Sequence, residues 1–106
     1  MRRYRVGLDP EAIADLKAIR TFVAEAAGNA IAEKLIDRVL AYIDGLDTAP
    51  KRGAARDDIR PGLRTITWRR TMTLIFVVDD GAGTVVVIGA LYRGRDVDAA
   101  LRDRLG

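Results

Sequence analysis

The chemistry open to this chain is set first by its arginines. Fifteen Arg stand beside three Lys (Lys17, Lys34, Lys51), with no His and no Cys among 106 residues. A guanidinium stays charged at any physiological pH and forks onto carboxylates and phosphates, so it grips anions and does not trade protons. Without His or Cys there is no thiolate metal site, no disulfide scaffold and no Ser-His or Cys-His nucleophile. Arg56, Arg60 and Arg64 lie in the stretch from Lys51 to Arg64, Arg69 and Arg70 are adjacent, and Arg93 and Arg95 follow the last apolar run beside Tyr92. These seven guanidinium groups are the candidate partner-binding set. The carboxylate pairs Asp57-Asp58 and Asp79-Asp80 are sequence neighbours, which point apart on a strand, so they do not read as an acid–base dyad. Asp79-Asp80-Gly81 reads as turn chemistry. Trp68 reads as a core or edge residue beneath helices, and Tyr4 and Tyr42 as aromatics at the core edge. No metal and no cofactor is expected.

The net charge of +3 is unevenly placed: residues 1–50 carry 7 basic and 8 acidic side chains, residues 51–106 carry 11 and 7. The positive excess in the second half suits an acidic protein segment or a phosphate backbone as partner. Hydrophobic content of 49% with 31% charged residues is ordinary for one soluble domain spanning 1–106. No apolar run approaches the roughly 20 residues of a membrane span. Asp9 and Glu11 stand where a signal peptide would have its apolar core, so a cytoplasmic protein with no membrane partner is expected.

The elements that must position these groups follow from periodicity. Arg3 to Leu8 alternates and predicts a short strand. Asp9 as N-cap and Pro10 in the first helical position start a helix, with Leu8 and Ile13 placed as a hydrophobic staple. Ala12, Leu16, Ile19, Val23 and Ala26 form its apolar stripe. Gly28 ends it in a left-handed cap and Asn29 is placed to cap a second helix, with Ile31, Leu35, Val39, Ile43 and Leu46 on one face and Ile36 and Leu40 widening it. So short a connection makes the pair an antiparallel hairpin. Thr48 to Gly62 has no period and reads as a loop. Strands are predicted at Leu63–Trp68, Met72–Asp79 and Thr84–Tyr92, joined by turns at Arg69-Arg70 and Asp80-Gly81-Ala82-Gly83. On the middle strand Met72, Leu74, Phe76 and Val78 face one way, Ile75 and Val77 the other. Asp96 to Leu105 has helical spacing. The fold class is α+β: a helical hairpin on a small, mainly antiparallel sheet in the order β-α-α-β-β-β, with a short C-terminal helix and the helices on one face. Whether Arg64 shares an end of the sheet with Arg93 and Arg95 is left open by the order alone. Local acids offer the guanidinium groups bland partners: Asp57 or Asp58 for Arg60, Asp96 or Asp98 for Arg95.

These residues resemble a known family. Leu8-Asp9-Pro10-Glu11-Ala12, the Gly28-ended helix, and Ala32, Ile36-Asp37 and Ile43 are similar to the N-terminal half of ParE-type toxins. So are Arg52-Gly53, Arg56-Asp57-Asp58-Ile59-Arg60-Pro61-Gly62-Leu63-Arg64 and Tyr92-Arg93-Gly94-Arg95-Asp96. The resemblance implies a toxin of the ParE/RelE superfamily in a type II toxin–antitoxin pair, of the kind linked to plasmid stabilization. It implies DNA gyrase as target, a cognate ParD-like antitoxin as partner in a hetero-oligomer, and contact with nucleic acid only through gyrase or the antitoxin. The RelE-like branch cleaves mRNA on the ribosome, and an enzyme of that kind would here use Arg64, Tyr92, Arg93 and Arg95. The chain departs from that branch. Met72-Thr73-Leu74-Ile75-Phe76 has Thr73 where the branch has a catalytic Arg, the second helix offers Lys34 and Arg38 in place of a Lys pair, and Asp98 falls near an expected Tyr. The resemblance therefore favours a toxin without bond chemistry of its own. The alternatives are the mRNA endonuclease and a non-toxic homologue that keeps antitoxin binding.

Overall fold

The computed structural model describes residues 3–93 and 96–105. Strand β1 (Arg5–Leu8) leads into helices α1 (Pro10–Ala27) and α2 (Asn29–Asp44), and a single 3-10 turn (Gly45–Asp47) follows. The rest is β2 (Ala54–Ala55), β3 (Leu63–Trp68), β4 (Met72–Asp79), β5 (Thr84–Tyr92) and α3 (Val97–Leu105). The sheet order is β1-β5-β4-β3-β2, with β1 parallel to β5 and every other pairing antiparallel. β2 lies inside the stretch read as a loop: two alanines carry no period, yet Ala54 and Ala55 pair with Thr65 and Arg64.

α1 starts as its sequence requires. Asp9 is extended (φ −80°, ψ 169°) and its Oδ1 accepts the Ala12 N–H at 2.9 Å, while Pro10 fills the first turn. Gly28 ends the helix at φ 98°, ψ 159°, a positive-φ extended geometry open in practice to glycine and distinct from the left-handed cap expected. Asn29 is the first residue of α2, whose N-cap is Gly28 without a side-chain bond, so the expected Asn29 cap is not made.

The hairpin covers one face of the sheet. Leu16, Ile19, Val23, Ala32, Val39 and Ile43 bury against Met72, Leu74, Phe76, Val78, Val85 and Val87. The stripe is shorter than its spacing suggested. Ala26 is exposed, Ile31 is 56% exposed and Ile13, the intended staple partner of Leu8, is 43% exposed. Ala26 and Ile31 flank the Gly28 turn, and Ala32 takes the buried place on α2.

α3 does not join the hairpin on its face. Leu101, with Val97 and Ala100, packs on Leu63, Ile75 and Leu91, which alternate to the opposite side of the sheet. A bulge opposite Ile75/Phe76 inserts Ile88 between Val87 and Gly89 and shifts the phase of β5 by one residue. Leu91 thereby turns toward α3, and Tyr92 toward α1.

Candidate functional site

β3 runs from Leu63 to Trp68, β4 returns, and β5 runs with β3, so the two ends of the sheet are chemically distinct. Arg64 lies opposite Phe76, which pairs with Val87, whereas Tyr92 lies opposite Met72. Four residues of β4 therefore separate Arg64 from Tyr92, about 13 Å at the usual rise. Arg93 is one residue further. The open question of the sequence is answered: Arg64 and Arg93 occupy opposite ends.

At the Arg64 end a cleft of ≈ 510 Å³ is lined by Lys51, Asp57, Arg60, Arg64, Asp79 and Asp80, among others. Its wall is the segment 56–63, which closes on itself. The Arg56 N–H donates to Leu63 O (2.7 Å), the Leu63 N–H to Arg60 O (3.1 Å), and the Gly62 N–H to Asp57 Oδ1 (2.9 Å). Pro61-Gly62, with Gly62 at φ 82°, has the pattern of a type II turn. The Arg64 guanidinium is absorbed by backbone: Nε donates to Arg52 O (2.9 Å) and Nη2 to Lys51 O and Gly53 O (both 3.3 Å). Arg64 thus pins the 51–53 segment to β3. Lys51 pairs with Asp80 at 2.9 Å, and Asp80 also accepts the Tyr4 hydroxyl at 2.7 Å.

Arg56 is tied to Asp58 (3.2 Å) and to Asp98 of α3 (2.9 Å). Arg60 therefore lacks the partners read for it, because Asp57 holds Gly62 and Asp58 holds Arg56. Arg60 is exposed and forms no ion pair among the described residues. Arg95 lies outside the described residues; its candidate partner Asp98 is engaged by Arg56, and Asp96 accepts the Ala99 N–H at 3.1 Å. Asp79 does the expected turn work, accepting the Ala82 N–H at 2.9 Å.

Two carboxylates report on acid stability: Asp58, and Asp47 of the 3-10 turn, which accepts Arg3 Nη2 at 2.6 Å. The Arg56 guanidinium beside Asp58 and the Arg3 guanidinium beside Asp47 hold both carboxyls below the usual carboxylate range. A depressed folded-state pKa stabilises the fold above the ordinary value of about 3.9 and loses that contribution as pH falls through the lowered one. Carboxyl NMR titration is expected to place both midpoints below about 3.9, and a midpoint at or above it contradicts these pairings.

At the other end, Arg69 and Arg70 are the central residues of the turn within the three-residue β3–β4 connection Arg69–Thr71, with the Thr71 N–H donating to Trp68 O at 2.9 Å. Both are left-handed, at φ 51° and 55°. Turns of this type favour Asn-Gly, and each Arg here costs about 1–2 kcal/mol of backbone strain. The Arg93 N–H donates to Thr71 O at 2.9 Å, which fastens Arg93 to the same turn. Arg69 stacks over Trp68 at 5.2 Å and Arg93 over Tyr92 at 5.5 Å, and Phe22 meets the Tyr92 ring edge-on at 5.6 Å. Trp68 is 7% exposed and belongs to the core, as read. Lys34 and Arg38 of α2 border a groove with Trp68, Arg69 and Thr71. Their closeness to the hairpin tip was not read from the sequence, although their i, i+4 spacing beside the buried stripe was the available signal. Thr73 lines a small depression with Arg70 and Arg93.

Among the described residues no group of three or more His, Cys, Asp or Glu could hold a metal ion. No helix of the described residues is long and apolar enough to cross a membrane.

A five-stranded mixed sheet with a helical hairpin on one face, a third helix on the other and guanidinium groups at both ends defines a small α+β domain. The model of the ParE toxin of type II toxin-antitoxin systems, parDE, matches residues 6–97, and the chain belongs to this family. It is a ParE-type toxin of a type II toxin–antitoxin system within the ParE/RelE superfamily. Among solved structures, a chain of the chromosomal ParDE system from P. aeruginosa is similar, with a TM-score of 0.72 and 23% identity over 86% of this chain and 97% of that one. A chain of the RelBE2 toxin-antitoxin complex from Mycobacterium tuberculosis matches with a TM-score of 0.64 and 22% identity over 90% and 97%. The isolated E. coli RelE toxin matches with a TM-score of 0.56 and 17% identity over 95% and 96%. At these identities the likeness is one of fold. A search of curated proteins finds no match to the chain.

Proposed function

We propose that this toxin binds DNA gyrase and blocks replication without bond chemistry of its own, and that a cognate ParD-like antitoxin neutralises it. The observation that carries the reading is the division of the guanidinium set. An mRNA endonuclease needs a proton-transfer group and cations around one phosphate. Here Arg64 is bound to backbone carbonyls at one end of the sheet, and Tyr92 and Arg93 stand at the other. Thr73 adds no charge between them. Family membership over residues 6–97 favours gyrase over the ribosome for the same chain. Arg60 at the cleft and Arg69, Arg70 and Arg93 at the hairpin end are the target-facing candidates, with Arg95 retained from the sequence.

An antitoxin partner is supported by apolar surface on the hairpin, where Phe22 is 58% exposed and Ile31 56%. It is supported also by an open sheet edge, because β2 pairs with Arg64 and Thr65 alone and leaves Ile66–Trp68 of β3 available for an added strand. Antitoxin segments that order on binding suit such a surface. The test is expression without the antitoxin, following DNA synthesis and protein synthesis separately. A prompt fall in DNA synthesis with translation intact is the expected result. Early loss of translation with cut transcripts would move the assignment to mRNA cleavage, and no growth defect from a folded protein would favour the non-toxic homologue.

A further inference from the structure

Of the described basic side chains, five are paired with a carboxylate and eleven are not; six of the eleven, Arg5, Lys17, Arg52, Arg60, Arg64 and Arg102, line neither of the two grooves at the hairpin end of the sheet. Arg3, Arg20, Lys51, Arg56 and Arg104 are each paired with a carboxylate. Lys34, Arg38, Arg69, Arg70 and Arg93 form no ion pair among the described residues, and all five border the hairpin end of the sheet. Their positions are contiguous. Thr71 sits on the rim of a groove of ≈ 380 Å³ that carries Lys34, Arg38 and Arg69, and also on the rim of the depression that carries Arg70 and Arg93. On α2 itself, Glu33 is held by Arg20 at 2.9 Å and Asp37 forms no ion pair among the described residues. Three of these cations lie beside α2 and two on the α3 side of the sheet, meeting at Thr71, so together they wrap one end of the sheet in a positive field that the net charge of +3 conceals.

The turn that presents two of them is strained. Asn-Gly would relax it, so Arg69 and Arg70 are placed against local backbone preference. Strain held at an exposed turn is what a binding element shows.

We infer that this end of the sheet, carrying Lys34, Arg38, Arg69, Arg70 and Arg93, binds the phosphate backbone of duplex DNA. Phosphate is the anion that guanidinium forks and threonine hydroxyls both serve, and Thr67, Thr71 and Thr73 lie among these cations. Duplex is favoured over single strand because single-strand sites offer free aromatic faces to the bases. Here Trp68 is buried beneath the Arg69 guanidinium, and Tyr92 is flanked by Phe22 and Arg93. Phe22, 58% exposed beside Tyr92, is a single open ring where single-strand sites line up several, so charge outweighs stacking here. The inference goes beyond the gyrase reading, and its assay contains no gyrase, so the two fail separately.

The test is fluorescence anisotropy of the purified toxin with a labelled duplex of about 20 base pairs across a salt series, beginning near 50 mM. Wild-type protein is expected to bind with log K falling against log salt at a slope of about −4, since each neutralised phosphate contributes about −0.9. The Arg69→Asn/Arg70→Gly double variant removes two cations while relaxing the turn. It is expected to melt at or above the wild-type temperature, yet to bind at least about tenfold more weakly with a slope smaller by about 2. Lys34→Ala/Arg38→Ala is expected to act similarly, and Lys17→Ala, outside this set, to change nothing. Absence of duplex binding by folded wild type at low salt would overturn the inference. So would binding insensitive to both double variants, tighter binding of the single strand than of the duplex, or capture of an acidic helical peptide with no affinity for DNA.

Discussion

Gly62→Ala is expected to destabilise the fold by about 3 kcal/mol and to lower its melting midpoint by about 15 °C. Gly62 holds φ 82°, where a Cβ costs about 1–2 kcal/mol before any contact is considered. The added Cβ would also run into the carbonyl oxygen of Val78, which is backbone of a buried strand and cannot swing aside. Relief means separating two segments that are joined there, because the Val78 N–H donates to Gly62 O at 2.9 Å. The same movement would break the Asp57 bond to the Gly62 N–H and the turn that sets Leu63 in the core. Gly53, at φ 72° with Thr65 O in the path of its Cβ, carries the same constraint on the next strand. Gly7→Ala is the control: it has nothing within 4 Å of the added carbon and is expected to be near neutral. Urea unfolding measures all three. A cost below about 1 kcal/mol at Gly62 would mean that the cleft wall repacks freely and does not fix the position of Arg60.

The second large effect is expected at Asp15, where Ala should cost about 2–3 kcal/mol. β1 pairs with β5 as far as Val87, so the outer edge of Gly89–Leu91 lacks a strand neighbour. Asp15 of α1 fills that gap. Its Oδ2 accepts the Ala90 N–H at 2.9 Å and Arg104 Nη1 at 2.7 Å, and its Oδ1 accepts Arg104 Nη2 at 2.9 Å. Arg104 also donates to Ile88 O at 3.2 Å, and a Cβ on residue 89 would stand 2.5 Å from its Nη1, so Gly89 makes room for the crossing guanidinium. Both side chains are about one-fifth exposed (19% and 20%), so the pair is only weakly screened by solvent. Loss of the Asp15 carboxylate strands the Ala90 N–H and leaves Arg104 only the exposed Glu11 carboxylate at 3.3 Å and Ile88 O, which loosens the end of α3 on the sheet. Arg104→Ala should cost less, since Asp15 keeps Ala90. A double-mutant cycle is expected to show a coupling above about 1.5 kcal/mol. Hydrogen exchange should accelerate over α3 and at the Leu63–Ile75–Leu91 patch that α3 covers. Additive effects without coupling would contradict the clamp.

Much of this fold is legible locally. The alternation of Met72, Leu74, Phe76 and Val78 against Ile75 and Val77 assigns both faces of β4, and both are occupied as read. Asp9, Pro10 and Gly28 mark α1 through capping chemistry that acts within four residues. The readings that failed share a non-local cause. Ala26 and Ile31 have core spacing but flank the α1–α2 turn, where no buried neighbour covers them. α3 has an ordinary amphipathic pattern, and its choice of face depends on Leu63 and Ile75 from other strands.

The site divides in the same way. The Arg69-Arg70 turn is visible between two strands, whereas the distance between Arg64 and Arg93 needs the register. Arg60 and Arg64 look equivalent in Arg60-Pro61-Gly62-Leu63-Arg64, yet Arg64 is held by three carbonyls and Arg60 by none. The Asp15–Arg104 clamp spans 89 positions and leaves no local trace.

The central claim is that this ParE-type toxin acts on gyrase by binding. It is tested most directly with purified toxin and gyrase on relaxed plasmid, scoring both supercoiling and cleaved DNA, with and without the antitoxin. The predicted result is loss of supercoiling or trapped cleavage that the antitoxin reverses and that weakens in the Arg60→Ala and Arg69→Asn/Arg70→Gly proteins. Full gyrase activity in the presence of folded toxin, together with cutting of ribosome-bound transcripts, would contradict it.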